Sequence, residues 1–353
     1  MALFGCAAEA TDDHGEPAAS GDPGQMATAP GLVSRIEVVN GWLSKDDSLI
    51  VRWTMTNEGS ETISLSRWQA PSASLEENVF DITLDGKPVR YVGKLVKRPE
   101  PTVDDFIPIE PGESITATID LSPYYKLGHV GTYAIAYQAL PLTILEAETP
   151  YTEALRSNTV TALRAVATAD ADVPKVVNLP QQDVLGAGFR NCSASQKSKI
   201  RTAFSQAENY ARNAATYFSN GLHATRYKTW FGTYTSGRLS TVRSHYNTMI
   251  DAYANETFTF DCGCSDSAYA YVYPDDAYVI YLCNAFWSAP NAGTDSRGGT
   301  IVHETSHFTV VAGTNDWTYG QSSCRSLATS QPARAIDNAD SHEYFAENTP
   351  AQN

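Results

Sequence analysis

The chain has 353 residues, enough for two domains, and its 42% hydrophobic content is that of an ordinary globular protein. No run of roughly 18 or more apolar residues occurs, so the sequence predicts no membrane-spanning helix. A net charge of −15 argues against a nucleic-acid partner, since phosphate binding needs basic surface, and suits a soluble exported protein.

Residues 1–30 come first. Met1-Ala2-Leu3-Phe4-Gly5-Cys6 has the form of the end of a bacterial lipoprotein signal, with Cys6 as the candidate lipid anchor. The charged start and apolar core of an export signal are missing. The readings are therefore a signal truncated by a start assigned too far downstream, or a chance match. The Ala-, Gly-, Pro- and acid-rich stretch that follows reads as a disordered leader.

Residues 31–168 read as an all-β domain. Arg35–Val39, Leu49–Met55, Phe80–Leu84, Ile115–Ile119 and Thr132–Tyr137 are strand-like, several with alternating apolar and polar residues. Asp85-Gly86 and Asn57-Glu58-Gly59 mark turns. The spacing predicts an immunoglobulin-like sandwich. Residues 169–190 lack periodicity and read as a linker, flexible at Gly186-Ala187-Gly188. Lys175 within it is a candidate processing site, since exposed linkers are preferred points of cleavage.

Residues 191–353 read as an α+β domain. Ser193-x-x-Gln196 is a capping box that opens a helix carrying Ile200, Phe204, Ala207, Ala211, Ala214 and Phe218 on one face. A second helix over Ser240–Ala252 bears His245, read as structural. Short strands follow near Phe258–Phe260, Ala270–Tyr273 and Tyr278–Leu282, one of them a candidate edge for binding a substrate backbone. Cys192, Cys262, Cys264 and Cys283 lie in this domain. Cys262 and Cys264 are too close to pair with each other easily, but spacing alone leaves the pairings open. Cys324 is left over as a buried apolar residue.

The chemistry concentrates in His303-Glu304-Thr305-Ser306-His307 and the Asp316 that follows. On a helix, histidines four apart share a face and can hold one Zn²⁺, with Glu304 beside them as general base. A catalytic zinc takes three protein ligands, and Asp316 is the candidate third. Gly298-Gly299-Thr300-Ile301-Val302 starts the helix, and Ala312-Gly313 is expected to end it and turn the chain back. Tyr319 can share the charge of a tetrahedral oxyanion. Near the C-terminus, Asp340 and Glu343 fall on one face of an expected helix over Pro332–Glu347, where two adjacent carboxylates call for a cation such as lysine. His342 between them is expected to face elsewhere.

His303-Glu304-x-x-His307 with Gly313-Thr314-x-Asp316-x-x-Tyr319-Gly320 resembles the aspzincin, or deuterolysin, metalloendopeptidases, and among them the peptidyl-Lys enzymes. The likeness spans about Asn191–Asn353 and includes Tyr227–Gly232, Ala270–Pro274, Ala285–Trp287 and Asn338–Asn348. It implies a zincin-type protease domain with one Zn²⁺ on His303, His307 and Asp316, water activation by Glu304 and oxyanion support from Tyr319. It further implies bridges Cys192–Cys262 and Cys264–Cys283, and an Asp340/Glu343 pocket for a lysine just after the scissile bond.

The expected whole is a secreted, monomeric zinc endopeptidase made as an inactive precursor. Its partners are protein or peptide substrates and its own propeptide, residues 31–168, as inhibitor. The basic loop Gly93–Pro99 offers Lys94 or Lys97 as a substrate mimic. The alternatives are a broad-specificity deuterolysin-type protease and a surface lipoprotein whose β domain is a permanent binding module.

Overall fold

Alternation of apolar and polar residues dictates the first half of the fold. Ile50–Asn57 buries Val51, Trp53 and Met55 and turns Arg52 outward, as a half-buried strand must. It is the middle of a three-stranded antiparallel sheet, between Leu32–Val38 and Ser114–Asp120. A six-stranded sheet centres on Gly131–Ala139, flanked by Val160–Arg164 and Phe80–Leu84. Asp85 and Gly86 close the hairpin to Lys87–Pro88 with φ of 48° and 78°, the left-handed pair that such a turn requires. Both sheets contribute to one core containing Trp53, Ile82, Tyr133 and Ile135.

The protein is described by a computed structural model covering residues 31–139, 155–168, 187–221 and 223–353. Cys6 and Lys175 lie outside the described residues. Among the described residues, no helix is long and apolar enough to cross a membrane.

The second half is α+β. Ser193 caps the helix Ala194–Ser219 through the expected reciprocal bonds with Gln196. That helix packs against Ser236–Asn255 and Arg297–His307 over a second core rich in aromatic rings. Beside the helices runs a five-stranded sheet in the order Ala187–Arg190, Phe258–Asp261, Val279–Leu282, Ala270–Val272, Leu95–Lys97. The first three strands are parallel and the last two pairings antiparallel. Disulfides Cys192–Cys262 and Cys264–Cys283 pin the strand ends, and Cys324 is free and buried.

Four local expectations need correction. Ala187–Arg190, expected at the flexible end of the linker, is a strand, because Phe258–Asp261 offers it a partner along its whole length. Leu95–Lys97, expected as loop, is a strand of the other half's sheet. The helix bearing His303 stops at His307, with Phe308 as its cap, and Gly313, at φ 62°, serves a later turn. The helix expected over Pro332–Glu347 is two helices, Pro332–Ala335 and Ala339–Glu347. Asn338 between them has extended backbone, and its carboxamide oxygen accepts from the N–H groups of Trp317 and Thr318.

His342 turns back into the core. Its Nδ1–H donates to the Asn338 carbonyl at 2.9 Å, which leaves Nε2 to accept from His245 Nδ1 at 2.9 Å. Burial lowers both pKa values, to about 4 for His245 and about 3 for His342. Unfolding lets both bind protons near pH 6.5, so stability is whole above that pH and falls as pH drops toward 4. Thermal melting followed from pH 7 to 4 will fall less steeply for His245→Gln than for the unaltered chain. Parallel curves would show that the pair does not titrate on unfolding.

Candidate active site

Three segments build the site. The first is the helix Arg297–His307. Ser296 caps it by accepting from Gly299 N–H at 2.9 Å, and Glu347 fixes Ser296 in turn through its N–H and hydroxyl. Every residue from Gly298 to His307 is buried. Gly299 is required for space: a Cβ there would lie 2.1 Å from Glu347 Oε1 and 2.7 Å from Glu343 Oε1. The second segment is the loop Thr314–Gly320, tied to the third, the helix Ala339–Glu347, by Asn338 and by Gly320 N–H donating to Asp340 Oδ2 at 2.8 Å.

His303 Nε2, His307 Nε2 and Asp316 Oδ1 converge, with Asp316 Oδ1 at 3.1 Å and 3.3 Å from the two nitrogens. All three atoms are buried without a hydrogen-bond partner. Ligands at about 2.0–2.1 Å from a tetrahedral zinc stand about 3.3 Å apart, so the residues fit that ion. One remaining ring nitrogen is hydrogen-bonded as a ligating histidine needs, and the other faces a carboxylate. His307 Nδ1 bonds the Thr314 carbonyl at 2.8 Å, and His303 Nδ1 lies 2.8 Å from Asp340 Oδ1.

Glu304 is fully buried and neither carboxylate oxygen has a partner. Burial raises its pKa to about 7, against the pull of His303 and His307. That is the range in which a carboxylate can take and return a proton near neutral pH. The Tyr319 hydroxyl is likewise buried and unpartnered, and burial drives its pKa well up, so it remains a donor.

Asp340 and Glu343 face Lys97, whose side chain has no exposure. Its Nζ stands 2.7 Å from Glu343 Oε2, 3.3 Å from Asp295 Oδ1 and 3.4 Å from Asp340 Oδ1. Burial works against the Lys97 charge, but the three carboxylates raise its pKa well above the usual value. Burial also pushes Asp340 upward, and Lys97, His303 and the Gly320 N–H together bring it below its ordinary value. The rings of Tyr269 and Tyr344 flank the ammonium, 5.1 and 5.8 Å from their centroids. Lys94, the other expected mimic, pairs instead with Glu76 at 2.9 Å.

Asp295 was not legible in any motif. It lies in the loop before the Arg297–His307 helix at φ 50° and accepts from Tyr344 Oη at 2.7 Å. The only sequence hint is its place shortly before a helix cap, which many aspartates share.

The family model described as lysine-specific metallo-endopeptidase matches residues 216–347. An extracellular protease of Aeromonas hydrophila is 40% identical over 331 residues, covering 92% of this chain and 94% of its own. The chain belongs to the aspzincin family. This aspzincin is a zinc metalloendopeptidase. It is 36% identical to a peptidyl-Lys metalloendopeptidase of Armillaria mellea over 347 residues, 95% of each chain. A peptidyl-Lys metalloendopeptidase of Pleurotus ostreatus is 54% identical over 167 residues, 47% of this chain and 99% of its own. A solved zinc peptidase from Grifola frondosa shares 48% identity over 46% of this chain and 100% of its own, with a TM-score of 0.44.

Proposed function

We propose that this aspzincin is the precursor of an exported endopeptidase that cuts on the amino side of lysine, and that its N-terminal β region is an inhibitory propeptide with an immunoglobulin-like sandwich fold. The observation that carries the reading is the Lys97 ammonium among Asp295, Asp340 and Glu343. An ammonium has three N–H donors, and here three carboxylates surround it, whereas a planar guanidinium presents its donors as a flat fork. Relatives named for action on lysine support the assignment. One of them aligns over nearly its whole length to less than half of this chain, which supports a separable C-terminal enzyme. The two disulfides fit an oxidising compartment.

His303, His307 and Asp316 would hold the zinc, which supplies a Lewis acid that polarises the scissile carbonyl and acidifies water. Glu304 takes a proton from the attacking water and passes it to the leaving amine. Tyr319 donates to the carbonyl oxygen as that oxygen gains charge. Asp295, Asp340 and Glu343 hold the ammonium of the lysine that follows the bond.

Cleavage of a mixed peptide library by the separated C-terminal half tests this. Cuts will fall before lysine, and cuts with no such preference would instead mark a broad-specificity protease. Asp295→Asn removes one charged acceptor, and will lower kcat/KM for lysine peptides roughly tenfold or more with zinc content unchanged.

A further inference from the structure

The strand that delivers Lys97 also fixes which peptide bond stands at the metal ligands. Leu95, Val96 and Lys97 pair antiparallel with Val272, Tyr271 and Ala270. The N–H and C=O of one residue in an extended strand point to the same side, and successive residues point to opposite sides. Lys97 points toward the neighbouring strand, since its carbonyl accepts from Tyr269 N–H at 2.9 Å. Val96 therefore points away from it, and its N–H donates to Asp316 Oδ2 at 3.1 Å. Asp316 Oδ1, the other oxygen of that carboxylate, faces His303 and His307. The Val96 carbonyl is thus turned to the side of the metal ligands while the next residue's side chain fills the acidic pocket.

We propose that Val96–Lys97 is a self-cleavage site, hydrolysed by the chain in its own active site, and that the cut halves stay docked. The proposal rests on the lysine-directed reading given above. One water is consumed. Its oxygen bonds to the Val96 carbonyl carbon, the C–N bond breaks, and the Lys97 nitrogen leaves with a proton. The products are a Val96 carboxylate and a Lys97 α-amine, with no change of oxidation state. Contacts between residues upstream and downstream of the bond retain the two pieces. Arg90, upstream, pairs with Asp275 and bonds Thr309 at 2.7 Å, and the upstream strand Ile50–Asn57 pairs along its length with the downstream strand Ser114–Asp120. Arg98, next to the cut, bonds Glu76 at 3.2 Å and lies 4.6 Å over the Trp68 ring.

The full chain, loaded with zinc, is incubated at several protein concentrations and weighed under denaturing and native conditions. The expected result is two fragments divided between Val96 and Lys97, formed at a rate independent of concentration. The native particle will be heavier than the intact chain by one water. Glu304→Gln and Lys97→Ala will not divide there. In Glu304→Gln, acylation by an amine-reactive reagent will spare Lys97 while modifying exposed Lys87, a readout of docking that needs no turnover. An intact Val96–Lys97 bond in the zinc-loaded chain overturns the proposal, as does Lys97 acylated as fast as Lys87. If that intact chain still cuts added peptides before lysine, the lysine-directed reading stands without self-cleavage; cuts with no lysine preference overturn that reading itself.

Discussion

Glu304→Gln will retain zinc and the fold but cut lysine peptides at least about 10²–10⁴-fold more slowly, the usual contribution of a positioned general base. The substitution is nearly isosteric in a site with no exposure, so packing is kept. The amide cannot accept the water's proton, and two carboxylates that touch His303, Asp316 and Asp340, are already engaged. Asp316 is committed to the two histidines, and Asp340 to His303 and Gly320. Zinc content measured beside peptide cleavage checks the prediction. Undiminished cleavage would remove Glu304 from the mechanism.

Glu343→Gln and Asp340→Asn will have different signatures although both touch the lysine pocket. Glu343 Oε2 is the nearest acceptor to Lys97 Nζ, at 2.7 Å, and stands 3.4 Å from His303 Nδ1. Breaking a buried ion pair by removing one partner costs about 3–5 kcal/mol. Glu343→Gln will therefore lower kcat/KM for lysine peptides by roughly 10²–10⁴-fold with zinc retained, and will loosen the N-terminal region in the full chain. Asp340 also orients His303 through the 2.8 Å contact to Nδ1. Asp340→Asn will weaken zinc binding as well, by about 10–100-fold, the typical loss when a ligand's supporting hydrogen bond is removed. Titration with a chelator separates the two. Equal zinc affinities would show that Asp340 acts on the lysine alone.

The candidate metal centre was legible because two histidines and a glutamate lie on one helix at fixed spacing, and because a carboxylate and a tyrosine follow within a short loop. The longer strands of the N-terminal β region were legible from their period. What escaped was set by partners far away in the chain. Asp295 joins the pocket only because Tyr344 and Glu347 hold its loop. Asn338 breaks an otherwise continuous helical pattern because two N–H groups of the metal loop need its carboxamide. Leu95–Lys97 has too few residues for a period to show, and is a strand because Ala270–Val272 stands open beside it. Lys97 itself was foreseeable as a candidate, but nothing local separates it from Lys94, whose charge is met by Glu76 within its own half.

That short strand has a consequence for the life of the molecule outside catalysis. Under the proposed release of the N-terminal region, Ala270–Val272 becomes a bare margin of hydrogen-bonding groups, bordered by the stacked rings of Tyr271 and Tyr281. Such margins join to one another and to any extended chain they meet. In the intact chain Leu95–Lys97 thus sheathes the side that would otherwise be adhesive. An enzyme released as proposed would carry that margin bare, and a surface that accepts an extended peptide backbone is the same surface that aggregates.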